Sequence, residues 1–284
     1  LMMYENKQST NQKYKIFLSC SVIILFFFVV DVMELNEEPI LHGHVYLTDF
    51  SLLLTSIGLV IITAVGVIFY KNSERSLPWI LFLMVAIFWA IGEIVWSQDF
   101  QYEAGDPLSY LSEIFWLSAY IFLIGFEITY LKPFKKLITK KILAISVILS
   151  IAPTIYVIMM LIDADSVNFE ESLMMLYCVL DTVVLIPAII GVILFFRGQV
   201  SGIWSLMIIG IIIDSIANIW YGFNISESLY SIGDYVDALY VCAYVVFTFG
   251  VWNNIKLFDK SRMSASAKNT KHYFTKNFLF YSIF

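Results

Sequence analysis

Residues 108–131 read LSYLSEIFWLSAYIFLIGFEITYL, residues 132–141 read KPFKKLITKK, and residues 142–162 read ILAISVILSIAPTIYVIMMLI. The two apolar runs are each of the length that crosses a bilayer as a helix, about 20 residues. Between them lie Lys132, Lys135, Lys136, Lys140 and Lys141. Short cytoplasmic loops carry an excess of Lys and Arg, which places this connector inside the cell. Working outward, every other basic residue falls on the same side. Lys7, Lys13 and Lys15 precede the first apolar run, and Lys71 and Arg75 follow the second. Arg197 follows the sixth, and Lys256, Lys260, Arg262, Lys268, Lys271 and Lys276 follow the eighth, completing the 17 Lys and Arg of the chain. The alternate gaps carry acids instead: Glu34, Glu37 and Glu38; Asp99, Glu103 and Asp106; Asp163, Asp165, Glu170 and Glu171; Glu227 and Asp234. This segregation predicts a multi-pass protein of the cell membrane with both termini cytoplasmic.

Composition agrees. Hydrophobic residues make up 60% of the 284 and charged residues 14%, with a mean hydropathy of +0.82. A soluble domain is roughly half apolar and about a quarter charged. The predicted spans are Ile16–Met33, Leu47–Tyr70, Leu77–Trp96, Leu108–Leu131, Ile142–Ile162, Ser172–Phe196, Ile203–Phe223 and Tyr235–Val251. The first follows a basic start like a signal peptide, but it lacks a small-residue cleavage site and leads into Asp31 and Glu34, so it reads as a retained span. None of the runs alternates as barrel strands do, so the fold class is all-α, a helical membrane bundle. Trp79, Trp204 and Trp252 mark inner ends; Trp96 and Trp220 mark outer ends.

The first four spans resemble the last four. Gly66-Val-Ile-Phe69 pairs with Gly191-Val-Ile-Leu194, and the same offset pairs Trp79 with Trp204, Trp96 with Tyr221 and Glu93 with Asn218. One residue less pairs Glu113 with Asp237 and Tyr120 with Tyr244. An even number of spans per unit implies two parallel four-helix repeats about an axis along the membrane normal. The organisation is then a cytoplasmic N-terminus over 1–15, a first repeat over 16–131, a basic linker over 132–141, a second repeat over 142–258 and a polar cytoplasmic tail over 259–284.

A charge at mid-bilayer costs about 2.5–3.5 kcal/mol on insertion scales, so acids within spans need a partner, a proton or a function. Glu93, Glu113, Asp181, Asp214 and Asp237, with Asn218, lie at or outside the predicted midplane. Glu127 lies alone toward the inner side. Asp214 and Asn218 are four apart and share a helix face, where the first half has Trp89 and Glu93. Aromatic residues crowd the same level: Trp96, Trp116, Tyr120, Tyr177, Trp220, Tyr221, Tyr240 and Tyr244. Two readings stand side by side. The acids glue helices together through Ser, Thr, Tyr or Trp, or they line an outward-facing polar pocket for a small ligand, a cation or a proton. The pocket reading takes Glu93, Glu113, Asp181, Asp214, Asn218, Asp237, Trp89, Trp116, Tyr120 and Tyr244 as its lining.

His42-Gly-His44 beside Glu34, Glu37 and Glu38 has donors for Zn or Cu, against which stands a solvated loop. Asn224-Ile-Ser226 is a glycosylation sequon predicted to lie in an outer loop. Cys20, Cys178 and Cys242 sit within apolar runs without CxxC spacing and read as packing residues. No GxSxG, HExxH or P-loop occurs, and no Lys sits mid-way along the last span to form a Schiff base. No catalytic residue and no cofactor are expected. The inner basic loops suit anionic lipid, and nucleic acid is not an expected partner.

The third and fourth spans contain Phe88-Trp-Ala-Ile-Gly-Glu-Ile-Val-Trp96 and Asp106-Pro-Leu-Ser-Tyr-Leu-Ser-Glu-Ile-Phe-Trp-Leu-Ser-Ala-Tyr120. This resembles the multi-span N-terminal sensor domain of archaeal and bacterial signalling proteins, found ahead of PAS, histidine-kinase or diguanylate-cyclase modules. Glu93 and Trp96 match the family's first block; Pro107, Ser109, Glu113, Phe115, Trp116 and Tyr120 match its second, with Glu113 in place of an Asp and the second Pro missing. The resemblance implies a sensing role, and with no output domain of its own the chain would signal through a cytoplasmic or membrane partner. Asp214-Ser215 and Glu93 give a weaker resemblance to lysoplasmalogenase-type eight-helix hydrolases, which would use paired carboxylates as general acid and base. A sensor-like protein is the first expectation; a subunit of a larger membrane complex, a hydrolase and a small-solute transporter are the alternatives. The oligomeric state is left open.

Overall fold

A computed structural model describes residues 47–71, 73, 76–99, 110–162, 169–196, 204–226 and 236–256. The described residues form helices and turns with no strand. The helices are α1 Leu47–Tyr70, α2 Ser76–Asp99, α3 Leu111–Leu131, α4 Lys140–Ile162, α5 Phe169–Phe196, α6 Trp204–Ser226 and α7 Val236–Lys256. All seven are long and apolar enough to cross a membrane. They coincide with the second to eighth predicted spans; the span over Ile16–Met33 lies outside the described residues.

The turns follow from local chemistry. Between α1 and α2, the Ser73 backbone N–H and hydroxyl both donate to the Tyr70 carbonyl at 2.9 Å, satisfying an orphan acceptor of the helix end. Pro78 is tolerated in the first turn of α2, where helix N–H groups have no partner anyway. The lysine-rich connector is a 3-10 helix over Lys132–Leu137, then an extended Ile138. Thr139 caps α4, its hydroxyl accepting from the Ile142 N–H at 3.3 Å. Lys140 and Lys141 already belong to α4, so the predicted linker is shorter than 132–141. Hydroxyls inside the apolar runs bond back to their own helix, as Thr63 does to the Leu59 carbonyl at 2.7 Å.

The outer surface is what lipid requires. Ile114, Ile121 and Ile128, spaced by seven, form an exposed stripe along α3, and Ile148, Ile155 and Met159 do the same on α4. Water would not tolerate so much contiguous apolar surface on a single soluble chain.

The centre of the bundle is α7. Two thirds of its apolar stretch (67%) is buried, against 28% for α1, α3 and α4. It meets α1 where Gly66 faces Val251 and Ile255, and where the Tyr70 hydroxyl donates to the Asn254 carbonyl at 3.0 Å. It meets α2 through Phe247, whose ring lies 5.3 Å from Phe82 and 5.6 Å from Trp89. It meets α6 where Gly210 accepts the Phe247 ring and Gly250 accepts Met207. Small residues let membrane helices approach, and packing contacts then hold them. A Cβ at Gly210 would stand 2.6 Å from Phe247 Cε1, whereas one at Gly58 would meet nothing within 4 Å. Gly210→Ala is therefore expected to cost about 1–3 kcal/mol of stability by overpacking. Gly58→Ala should stay within about 0.5 kcal/mol of the parent. Reversible unfolding in mixed micelles would compare the two; equal effects would contradict this packing.

The aromatic belt is only partly where the sequence puts it. Trp220 and Trp252 are exposed, the latter with Lys256 Nζ 4.7 Å from its ring centroid. Trp79 instead is buried against Tyr70, ring centroids 5.3 Å apart. Cys178 and Cys242 are buried thiols, as a packing role requires; Cys20 lies outside the described residues. Pro153 and Pro187 lie within continuous α4 and α5. The sequon does not fall in a loop: Asn224 and Ser226 belong to α6, and the Asn224 side chain is buried rather than presented as an acceptor.

Candidate functional site

One end of the bundle holds a partly open cavity. Four helices each contribute a stripe of three residues spanning two turns, and a fifth contributes two. These are Trp89, Glu93 and Trp96 on α2; Glu113, Trp116 and Tyr120 on α3; and Asp214, Asn218 and Tyr221 on α6. From α7 come Asp237, Tyr240 and Tyr244, and from α5 Met174 and Tyr177; α1 adds Leu52. Spacings of three, four and seven keep such residues on one helix face, so each stripe points the same way. Among the described residues no Lys, Arg or His lines the cavity.

Tyrosine hydroxyls tie the polar groups across helices. Tyr244 donates to Glu93 Oε1 at 2.8 Å, joining α7 to α2, and Tyr177 donates to Glu113 Oε2, joining α5 to α3. Tyr120 donates to Asp181 Oδ1 at 2.9 Å, joining α3 to α5. Asn218 is the hub. Its Oδ1 accepts from Tyr240 at 2.7 Å, and its Nδ2 donates to the Tyr120 hydroxyl at 2.9 Å and to Asp181 Oδ1 at 3.3 Å. One connected network thus spans α3, α5, α6 and α7. The rings pack as well: Trp96 lies 5.8 Å from Trp116, Trp89 5.5 Å from Tyr244 and Tyr120 5.9 Å from Tyr177. Gly92 makes room for the Trp116 indole, because a Cβ there would run into its Nε1 and Cδ1.

Below this level Phe82, Phe126 and Phe247 fill the bundle, Phe82 lying 4.9 Å from Phe126. Glu127, beside that plug, is buried with neither carboxyl oxygen hydrogen-bonded.

Of the ten residues expected in the pocket, nine line the cavity: Glu93, Glu113, Asp214, Asn218, Asp237, Trp89, Trp116, Tyr120 and Tyr244. Asp181 is the exception. It is buried behind the lining, held by Tyr120 and Asn218, with Oδ2 unbonded. The sequence gives its depth but not that Tyr120 and Asn218 stand in front of it. Trp220, expected among the surrounding aromatics, points away and is exposed. Leu52 and Met174 were not singled out; as apolar residues in apolar helices they carry no signal. Asp49, in the first turn of α1, was also missed. It is buried and close enough to Glu93 to act on it electrostatically, as are Asp214 and Asp237. Its position next to the start of the apolar run makes it look like a boundary residue. His42 and His44 lie outside the described residues, and among the described residues no group of three His, Cys, Asp or Glu is placed to hold a metal ion.

No protein-family model, curated protein or solved structure matches this chain.

Proposed function

We propose that the chain is a sensor-like membrane protein that takes a small ligand, a cation or a proton into this cavity and relays a change in helix packing to a cytoplasmic or membrane partner. The observation that carries the reading is the convergence of stripes bearing acids and aromatic rings from four helices, with Tyr177 from a fifth, on one cavity that no basic side chain lines among the described residues. Four carboxyl groups at one depth demand protons, water or a cation. A helix-gluing role alone needs no cavity.

In this reading the chain has eight spans, both termini inside, and a cavity open toward the outer face. The cavity residues sit at the helix ends remote from Lys71, Lys132 and Lys256, which supports that orientation. Two parallel repeats also find support. The Glu93–Tyr244 bond joins the third and eighth spans; its image under the repeat, Asn218–Tyr120, joins the seventh and fourth. Packing of α3 on α5 is likewise the counterpart of α7 on α1. The sensor-domain resemblance points to the same place, since its matched Glu93, Trp96, Glu113, Trp116 and Tyr120 all belong to the lining. The aromatic plug under the cavity favours binding over passage through the bundle.

The test is tryptophan fluorescence of the full chain in lipid nanodiscs, titrated over pH and against small anions, neutral solutes and cations. Trp89, Trp96 and Trp116 report from the cavity. At least one titration should change the emission, and Glu93→Asn or Asp214→Leu should diminish it while insertion and helix content persist. No response to any solute or to pH, with both variants losing the fold alike, would leave the acids as helix glue.

A further inference from the structure

Asp214 differs from the other acids of the cavity. It is 7% exposed, lines the cavity, and makes no hydrogen bond among the described residues. Tyr120, Tyr240 and Tyr244 lie close enough to interact with it electrostatically, yet each of their hydroxyl protons is spent elsewhere, on Asp181, Asn218 and Glu93. The Asn218 amide protons point to Tyr120 and Asp181. These three hydroxyls and the Asn218 amide are thus committed to other acceptors, and none of them completes the Asp214 carboxylate.

Resting on the cavity-binding reading above, we propose that the ligand is a protonated amine with an apolar body, its ammonium group set against Asp214 and its body among the indole rings of Trp89 and Trp116. An ammonium N–H supplies the donor that Asp214 lacks, and its charge offsets the carboxylate at little desolvation cost to the site. Indole faces attract cations, Trp more than Tyr or Phe. An anion would meet four carboxyl groups and, among the described lining residues, no basic side chain. A neutral polar solute would leave the carboxylate's charge buried and uncompensated. A bare metal ion suits the site poorly, because among the described residues no three of its carboxyls are grouped to hold one. A proton alone would satisfy Asp214 but leave the aromatic-lined cavity beside it without an occupant. Such an ammonium could come from a free amine or from a lipid headgroup.

The experiment uses the full chain in phosphatidylglycerol nanodiscs and three probes of one shape: phenethylamine, 2-phenylethanol and phenylacetate. Calorimetry and tryptophan fluorescence should show the amine binding at least about tenfold more tightly than the alcohol, with phenylacetate weakest. Asp214→Asn should erase the amine's advantage. If that variant does not fold, the ranking in the wild-type protein still decides. Adding phosphatidylethanolamine to the discs separates the sources: competition with phenethylamine marks a headgroup ligand, and no competition marks a free amine. Equal binding of amine and alcohol overturns the amine assignment while leaving a ligand cavity in place. Silence toward every probe, every other solute and pH removes both.

Discussion

Asn218→Leu is expected to destabilise the bundle by about 2–5 kcal/mol. Asn218 makes three bonds, to Tyr240, Tyr120 and Asp181, and no other side chain touches as many helices of the network. Interhelical hydrogen bonds in membranes contribute roughly 0.6 kcal/mol on average and up to about 1.7 each. Leucine removes all three and leaves the Tyr240 hydroxyl without its acceptor. It also strips a donor from Asp181, whose Oδ2 already has none. Tyr240→Phe deletes one bond and should cost well under half as much. Asn218→Asp keeps the acceptor for Tyr240 and loses the two donations, so it should fall between. Equilibrium unfolding in mixed micelles would rank the three. An Asn218→Leu effect below about 0.5 kcal/mol would mean that the network does not hold the helices together.

Glu127→Leu should do the reverse and stabilise the protein, by about 1–3 kcal/mol. Glu127 is 4% exposed and both its oxygens lack a hydrogen bond. A buried polar group without a partner carries its full desolvation cost, whichever its protonation state. Leucine has a similar reach and suits the apolar surroundings of α3. The same unfolding assay applies, and binding of cavity ligands should be unaltered because Glu127 does not line the cavity. A loss of stability on this change would mean that a group outside the described residues satisfies Glu127.

Glu113 and Asp181 mark how far the fold and the cavity can be read from the sequence. Helices were legible because lipid leaves a chain little choice: without water, backbone groups must bond within the segment. The predicted ends of α1 and α3 at Tyr70 and Leu131 coincide with the observed ones. The cavity was legible because Glu93, Asp214 and their neighbours recur at helical spacing among residues that are otherwise apolar. Facing was not. Glu113 and Asp181 read alike along the chain, yet one lines the cavity and the other sits behind Tyr120. Trp79 reads as an interfacial anchor but packs on Tyr70, because a bulky ring is equally at home in lipid headgroups or between helices. Leu52 and Met174 could not be found at all, since an apolar wall residue and a lipid-facing one obey the same composition. Asn224 shows the opposite trap: a short motif suggested a loop where the helix continues.

The placement of α7 has a mechanical corollary. Tyr240 and Tyr244 grip the cavity near one end of this helix, and Lys256 closes the other. An unbroken helix rises about 1.5 Å per residue, so the twelve steps from Tyr244 to Lys256 make a rod of roughly 18 Å. Such a rod bends little, and Phe247 is seated in the notch at Gly210 like a pivot pin. A sideways push applied at the two tyrosines would reappear at Lys256 as displacement of opposite sense across that fulcrum.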